Sequence, residues 1–189
     1  MKKILFLFLI YLLTACAGPE QRNTTNDTIS SESSIDSSFF KDIPGRKLID
    51  SFSVIGDSIM IPEFEIELSL SPKAEAKLKT DKESIIVSSV FNGIPKDTTL
   101  PDYIEWGKIY IADKAIELNN KKVARFEHIK LSKEDFDSLA DKDFEVLINV
   151  FSGRRASKFN ILDSDFLQEG IETVKGKRYV LKVKLIEGE

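Results

Sequence analysis

Hydrophobic and polar residues alternate along several short segments from Phe39 onward. Between Phe64 and Leu70 every second residue is apolar, and the residues between them are Glu65, Glu67 and Ser69. The same two-residue period recurs across Arg178–Ile186. Because successive side chains of a strand point to opposite faces of a sheet, this period predicts strands with one buried face.

Further segments are rich in β-branched and aromatic residues and are separated by polar connections. They are Ser84–Phe91, Lys108–Leu118, Val123–Leu131, Phe144–Phe151 and a weaker one, Leu48–Ile55. Asn92-Gly93 is a strong turn signal at the end of the first of these, and Asn119-Asn120 predicts a hairpin. The chain is therefore expected to contain about seven strands.

Two short helices interrupt the strands. Ser71-Pro72 predicts an N-cap followed by proline in the first turn, with the helix ending near Thr80. Ser132 predicts a second N-cap, and Phe136 and Leu139 are expected to face the core. Alternating strands without βαβ spacing predict a mainly β fold, an antiparallel β-sandwich, immunoglobulin-like or related.

The N-terminal residues have the composition of a targeting segment. Lys2 and Lys3 precede Ile4–Leu13, an apolar run that is too short for a membrane-spanning helix, which needs roughly 20 residues. Leu13-Thr14-Ala15-Cys16 follows, and it resembles the lipobox of bacterial lipoproteins at every position. The resemblance implies cleavage before Cys16, lipid on its sulfur and a lasting membrane anchor. The alternative is an ordinary secretory signal with an accidental cysteine.

The chain is thus expected to have three parts: a signal peptide at residues 1–15, a lipidated cysteine with a flexible tether at 16–38, and one β-sandwich domain at 39–189. The tether is rich in Ser, Thr and Asn, and it has too few apolar residues to form a core. Ala17 rather than Asp follows the cysteine, which in the proteobacterial sorting rule of the lipoprotein family implies the outer membrane. Whether the domain faces the periplasm or the outside is left open.

Charge and cysteine content exclude several classes of function. The whole chain carries a net charge of −4, and loss of Lys2 and Lys3 with the signal peptide makes it −6. An acidic domain has no general electrostatic attraction to nucleic acid. Cys16 is the single cysteine, so neither an intramolecular disulfide nor a cysteine metal cluster is expected.

Arg154 and Arg155 form the most concentrated cationic spot in this acidic chain, since Lys158 follows closely. Paired guanidinium groups beside Gly153 could clamp a carboxylate or phosphate. The alternative is a solvated loop in which one arginine pairs with Asp163 or Asp165. These two arginines are the first candidates for a ligand or partner contact.

A long loop, Asn92–Gly107, contains Tyr103 and Trp106. Loops of this length without regular structure are often functional, and such aromatic residues dominate interface energetics. The sequence favours the alternative that Trp106 covers one end of the sandwich. Tyr103 and Trp106 complete the set of candidate contact residues.

No catalytic or metal constellation is predicted. His128 is the single histidine and is expected on a strand, on the same side as Phe126, in a packing or surface role. Glu65 and Glu67 share a strand face, but paired acids there are usually solvated. Asp163-Ser164-Asp165 lacks the spacing of a calcium loop.

The sequence therefore predicts a non-enzymatic envelope lipoprotein without a cofactor, anchored to a membrane through Cys16 and binding another envelope protein. In outline this resembles the small outer-membrane lipoproteins that dock secretion machinery. The alternative is a binding module for a small anionic ligand or glycan.

Overall fold

The computed structural model describes residues 47–49 and 52–188. The signal peptide, Cys16 and the tether lie outside these residues. The strands are β1 (Lys47–Ile49), β2 (Phe52–Ile55), β3 (Ser58–Met60), β4 (Phe64–Leu70), β5 (Ile85–Gly93), β6 (Ile109–Leu118), β7 (Val123–Phe126), β8 (Lys130–Ser132), β9 (Glu145–Ser152), β10 (Leu162–Ser164), β11 (Leu167–Gly170) and β12 (Arg178–Leu185). The helices are α1 (Pro72–Asp81), α2 (Pro101–Trp106), α3 (Lys133–Ser138) and α4 (Ile171–Val174).

The strands form three four-stranded sheets, so the predicted mainly β, sandwich-like fold is confirmed. The first sheet has the order β1-β2-β3-β8, the second β10-β12-β4-β7 and the third β11-β9-β5-β6. Within the described residues every strand pairing is antiparallel except that of β4 with β12. The strands outnumber the expected seven because several are short edge strands of three or four residues.

The sequence located the long strands correctly but two of its turn predictions were wrong. Asn92-Gly93 is not a turn but forms the last two residues of β5, where the pairing with β6 shifts register between Phe91 and Asn92. Asn119-Asn120 connects two different sheets, because β6 pairs with β5 while β7 pairs with β4. The two segments therefore form no hairpin with each other.

Two predicted strands are each divided. Leu48–Ile55 is split between β1 and β2, which pair with one another. Val123–Leu131 is split between β7 in the second sheet and β8 in the first. His128 lies in the connection with a left-handed backbone (φ 56°), so the prediction that it continues a strand was wrong.

Both predicted helix starts are confirmed. The Ser71 hydroxyl accepts a hydrogen bond from the Ala74 backbone N–H at 3.1 Å, with proline in the first turn of α1. The Ser132 hydroxyl accepts one from the Asp135 N–H at 3.0 Å. Across the described residues, no helix combines the length and the apolar character needed to cross a membrane.

Phenylalanine side chains join the sheets in the core. Phe64 and Phe126 lie opposite each other in β4 and β7, with their rings stacked 4.9 Å apart. Phe64 also contacts Phe91 of the third sheet edge to face, and Phe91 contacts Phe144 in the same way. Since aromatic pairs combine large buried area with specific geometry, this chain of rings holds the sheets in one arrangement.

Candidate functional site

Helix α2 is a short exposed helix within the segment that was expected to be an irregular loop. It begins after Leu100, has proline in its first turn, and ends at Gly107 with a left-handed backbone (φ 70°). None of its residues is buried. A helix without buried residues gains little from packing, so its apolar side chains are not explained by the core.

The apolar residues of this segment are open to solvent. Ile104 is 72% exposed, Trp106 73% and Tyr110, at the start of β6, 58%. Leu100 directly precedes α2, and its carbonyl accepts a hydrogen bond from the Ile104 backbone N–H at 3.0 Å, so the two residues are one helical turn apart. We call Leu100, Ile104, Trp106 and Tyr110 the docking patch. The expectation that Trp106 covers an end of the sandwich was wrong.

An open depression of about 440 Å³ lies beside two residues of the docking patch. Trp106 and Tyr110 line it together with Asn92, Asp102, Lys108 and Glu145. The Lys108 ammonium pairs with the Glu145 carboxylate at 2.7 Å, and the Tyr110 hydroxyl donates to Asp113. These internal pairings engage Lys108, Glu145 and the Tyr110 hydroxyl, while the Trp106 side chain stays open to solvent. Tyr103 is only partly exposed and stands beside the patch.

The Arg154–Arg155 loop is held by an internal carboxylate. Glu83, which is only 8% exposed, accepts hydrogen bonds from the backbone N–H groups of Arg155 at 3.0 Å and Ala156 at 2.8 Å. It also accepts from Ser157 and Ser84. Burial raises the pKa of Glu83, but these four donors outweigh burial, and the pKa lies below its ordinary value. Glu83 thus occupies the backbone donors that an anionic ligand would use.

The Arg155 side chain is also engaged inside the protein. Its Nη2 and Nε contact one carboxylate oxygen of Glu117 at 2.6 and 2.8 Å. Arg155 therefore pairs with Glu117, not with Asp163 or Asp165 as the sequence suggested. Arg154 is exposed, with a left-handed backbone (φ 58°). The depression beside Trp106 and another of about 460 Å³ beside Asp163 are both lined by residues other than these two arginines.

The structure separates the candidate contact residues into two groups. Trp106 and Tyr103 precede β6, whereas Arg155 contacts Glu117 near the other end of the same strand. Tyr110 and Glu117 are seven positions apart in β6, about 24 Å at the rise of an extended strand. The aromatic and arginine candidates therefore do not converge on one small-molecule site.

Glu65 does not have the surroundings of a catalytic acid. Arg125 of β7 and Arg178 of β12 lie directly opposite it in register, and both contact its carboxylate. Burial raises its pKa, but hydrogen bonds from Arg178 and Arg125 outweigh burial, and the pKa is lowered. A general acid needs a raised pKa, so this carboxylate has a structural role.

The oxygen-rich segment near Asp163 is likewise used in the fold. The Asn160 side-chain oxygen accepts from the backbone N–H groups of Ser152 and Leu162, at 2.9 and 3.1 Å. Asp165 accepts from the Lys182 N–H at 3.2 Å, and Asp163 pairs with Lys184. These oxygens are not gathered around one point.

The sequence overlooked three of the four residues of the docking patch. An irregular loop over Asn92–Gly107 gives no reason to select Leu100 or Ile104, and Tyr110 lies just beyond it. Proline directly after Leu100 and glycine directly after Trp106 are start and stop signals for a helix. Applied there, these signals would have predicted α2, with Leu100 and Ile104 one helical turn apart.

Comparison of the chain with protein-family models, with curated proteins and with solved structures finds no match. The function is therefore argued from the arrangement of the residues alone.

Proposed function

We propose that this protein is a non-enzymatic, membrane-anchored lipoprotein whose domain binds another envelope protein through the docking patch. The observation that carries the proposal is the exposure of Ile104 and Trp106 on a helix with no buried residue. Large exposed apolar side chains grouped on one segment are typical of protein interaction sites. Tryptophan and tyrosine are also the residues that most often dominate binding energy.

The surroundings of the patch indicate the chemistry of the partner. Asp102, Glu105 and Asp113 are exposed on the same segment, and the nearest lysine, Lys108, already pairs with Glu145. The rim is thus acidic around an aromatic centre. The matching partner surface has an apolar pocket for Trp106, edged by lysine or arginine, and the acidic rim is expected to speed association at low salt.

The anchoring part of the proposal rests on the resemblance of Leu13–Cys16 to a lipobox. Lipid on Cys16 would place the domain at a membrane surface, with the outer membrane as the expected location. Restriction to a surface raises the encounter rate with other membrane-associated proteins, which suits a module whose only activity is binding.

The docking patch can be tested by crosslinking the native protein in its own envelope and identifying the captured proteins by mass spectrometry. Trp106→Ala should abolish capture of the main partner, since truncating a central aromatic residue costs at least about 2 kcal/mol, roughly 30-fold in affinity. Phe159→Ala is the matched control, because Phe159 is also 73% exposed and lies on the Arg154–Arg155 loop.

Each outcome of this experiment decides the question. Loss with Trp106→Ala and retention with Phe159→Ala support the docking patch. Equal capture by both variants would refute it, and so would loss only when Arg154 is replaced, which would assign the contact to the Arg154–Arg155 loop. Absence of any captured partner above background would favour the small-ligand alternative. Thermal unfolding should be unchanged in both variants, because both side chains are largely solvated.

The anchor has a separate test. Cys16→Ser should release the protein from membranes or leave the precursor uncleaved, because the sulfur that accepts the lipid is absent. Fractionation with lipid labelling measures this directly, and a variant that stays labelled and membrane-bound would contradict the proposed anchor.

A further inference from the structure

Three metal-ligating side chains come together where two connections cross between the first and second sheets. Glu63 lies between β3 and β4, and Glu127 and His128 lie between β7 and β8. One ligand atom from each of these residues lies within 4.8 Å of the others, and His128 Nδ1 is 3.9 Å from a Glu127 oxygen. Glu63 is separated from the other two by more than sixty positions in sequence, so only the fold joins them.

The two connections are fixed relative to each other. The Ile61 backbone N–H donates to the Ile129 carbonyl at 2.9 Å, and both side chains are buried in the core. The Glu63 carbonyl accepts from the Gly176 N–H at 2.7 Å, and the Glu127 carbonyl accepts from Lys114 at 2.6 Å. The backbone positions of the three side chains are therefore set before any ligand arrives.

The two carboxylates are not neutralised by ion pairs of their own among the described residues. In residues 52–188 neither Glu63 nor Glu127 forms an ion pair with a lysine or arginine, and Arg125 is committed to Glu65. Bringing like charges together costs free energy, and a bound cation would reduce that cost.

From this convergence of side chains we infer that Glu63, Glu127 and His128 form a Zn²⁺ site. Imidazole nitrogen together with carboxylate oxygen suits Zn²⁺, whereas Ca²⁺ and Mg²⁺ prefer all-oxygen sites. Ligand atoms around tetrahedral Zn²⁺ are about 3.4 Å apart, given bonds of about 2.0–2.1 Å. His128 is exposed, and both glutamates are partly exposed, so small side-chain rotations close the remaining distance.

Three protein ligands leave the fourth position of the metal to water. Such a surface site can be completed by a ligand from another molecule. The inference does not depend on the docking patch, which lies on a different segment, so the two proposals can fail separately.

The test is calorimetric titration of Zn²⁺ into the full-length protein, produced without a histidine tag. We expect saturable binding of one Zn²⁺ per chain, with Ca²⁺ and Mg²⁺ binding far more weakly. His128 is the only histidine, so its ring signals in the NMR spectrum report whether the imidazole is a ligand. These signals should shift in step with the calorimetric saturation.

Variants identify the ligands. Glu63→Gln and His128→Asn should each raise the dissociation constant at least about tenfold, since even the loss of a residue that only supports a ligand costs 10–100-fold. Glu67→Gln, a partly exposed glutamate of β4, is the control and should leave it unchanged. Circular dichroism checks that each variant is folded. The His128 side chain is 73% exposed, so its replacement should not disturb the core.

Absence of saturable Zn²⁺ binding would overturn the site. Zn²⁺ binding that survives both Glu63→Gln and His128→Asn would also overturn it. Binding that disappears only in Cys16→Ser is one such case, because it would assign the metal to the cysteine. Binding lost in the two variants and kept in Glu67→Gln would support it.

Discussion

Replacing Glu65 tests whether a row of charges holds the second sheet together. Glu65 lies on the outer face of β4, yet it is only 1% exposed because Arg125 and Arg178 cover it. Three charge-assisted hydrogen bonds reach its carboxylate: Arg125 Nε at 2.7 Å, and Arg178 Nε and Nη2 at 2.8 and 2.5 Å. Glu65→Gln keeps the shape of the side chain and removes its charge.

The expected cost lies below that of breaking a fully buried ion pair, which is about 3–5 kcal/mol. The arginine side chains are 59% and 35% exposed, so water can replace the lost carboxylate. Hydrogen bonds to charged groups contribute about 1.5–3 kcal/mol each before such screening. We expect Glu65→Gln to lower the free energy of unfolding by about 2–3 kcal/mol, a fall in Tm of about 4–12 °C.

The pH dependence follows from the lowered pKa of Glu65. A carboxyl group with a lower pKa in the folded state stabilises the protein fully above its unfolded pKa of about 4.3, and this stabilisation is lost as pH falls through the folded pKa. The difference between the native protein and Glu65→Gln should thus be constant from pH 7 to 5. It should shrink at more acidic pH.

Urea unfolding followed by circular dichroism at several pH values between 7 and 3 measures both effects. Glu67→Gln is the control, since Glu67 is on the same strand and its side chain is 42% exposed, 3.4 Å from Arg178. It should change stability by less than about 0.5 kcal/mol. Equal losses in the two variants, or a Glu65→Gln deficit that persists at low pH, would refute the reasoning.

Two further substitutions probe the core and the arginine loop. Phe126→Ala should lower the free energy of unfolding by about 3–5 kcal/mol, because this fully buried ring stacks on Phe64. Urea titration measures the loss, and a value below about 1 kcal/mol would show that the stacked rings contribute little to stability. Glu83→Gln keeps one acceptor oxygen and places an NH₂ group against the backbone donor of either Arg155 or Ala156, costing about 1–3 kcal/mol. Hydrogen exchange at those amides should accelerate while exchange in β9 stays slow, and unchanged protection would contradict the role of Glu83.

Much of the local structure could be predicted from the sequence because it depends on neighbouring residues. The alternation in Phe64–Leu70 corresponds to β4, and the Ser71 and Ser132 caps begin α1 and α3 as expected. Local turn signals predicted the ends of strands less reliably. Asn92-Gly93 was expected to form a turn at the end of a strand, but pairing of both residues with β6, and of Asn92 with β9, makes them the last residues of β5.

For the candidate site too, the sequence supplied the residue types, and the tertiary structure decided their surroundings. Trp106 was selected from its residue type, but its exposure depends on how α2 packs, and the sequence favoured the opposite placement. Arg155 was selected for its charge, but Glu117 and Glu83, far away in sequence, decide that it is engaged within the protein. The prediction of no metal site conflicts with the Zn²⁺ site inferred here, because Glu63 and His128 meet only in the folded chain.

By itself the sequence determined the mainly β character, the places of the long strands and the two capped helices, since periodicity and capping act over a few residues. The tertiary structure alone decided which strands pair, including the parallel pair of β4 and β12, and which charges meet. It also decided that Trp106 is exposed and that Glu65 is covered. These outcomes depend on contacts between residues distant in sequence, whose free energy no local pattern records.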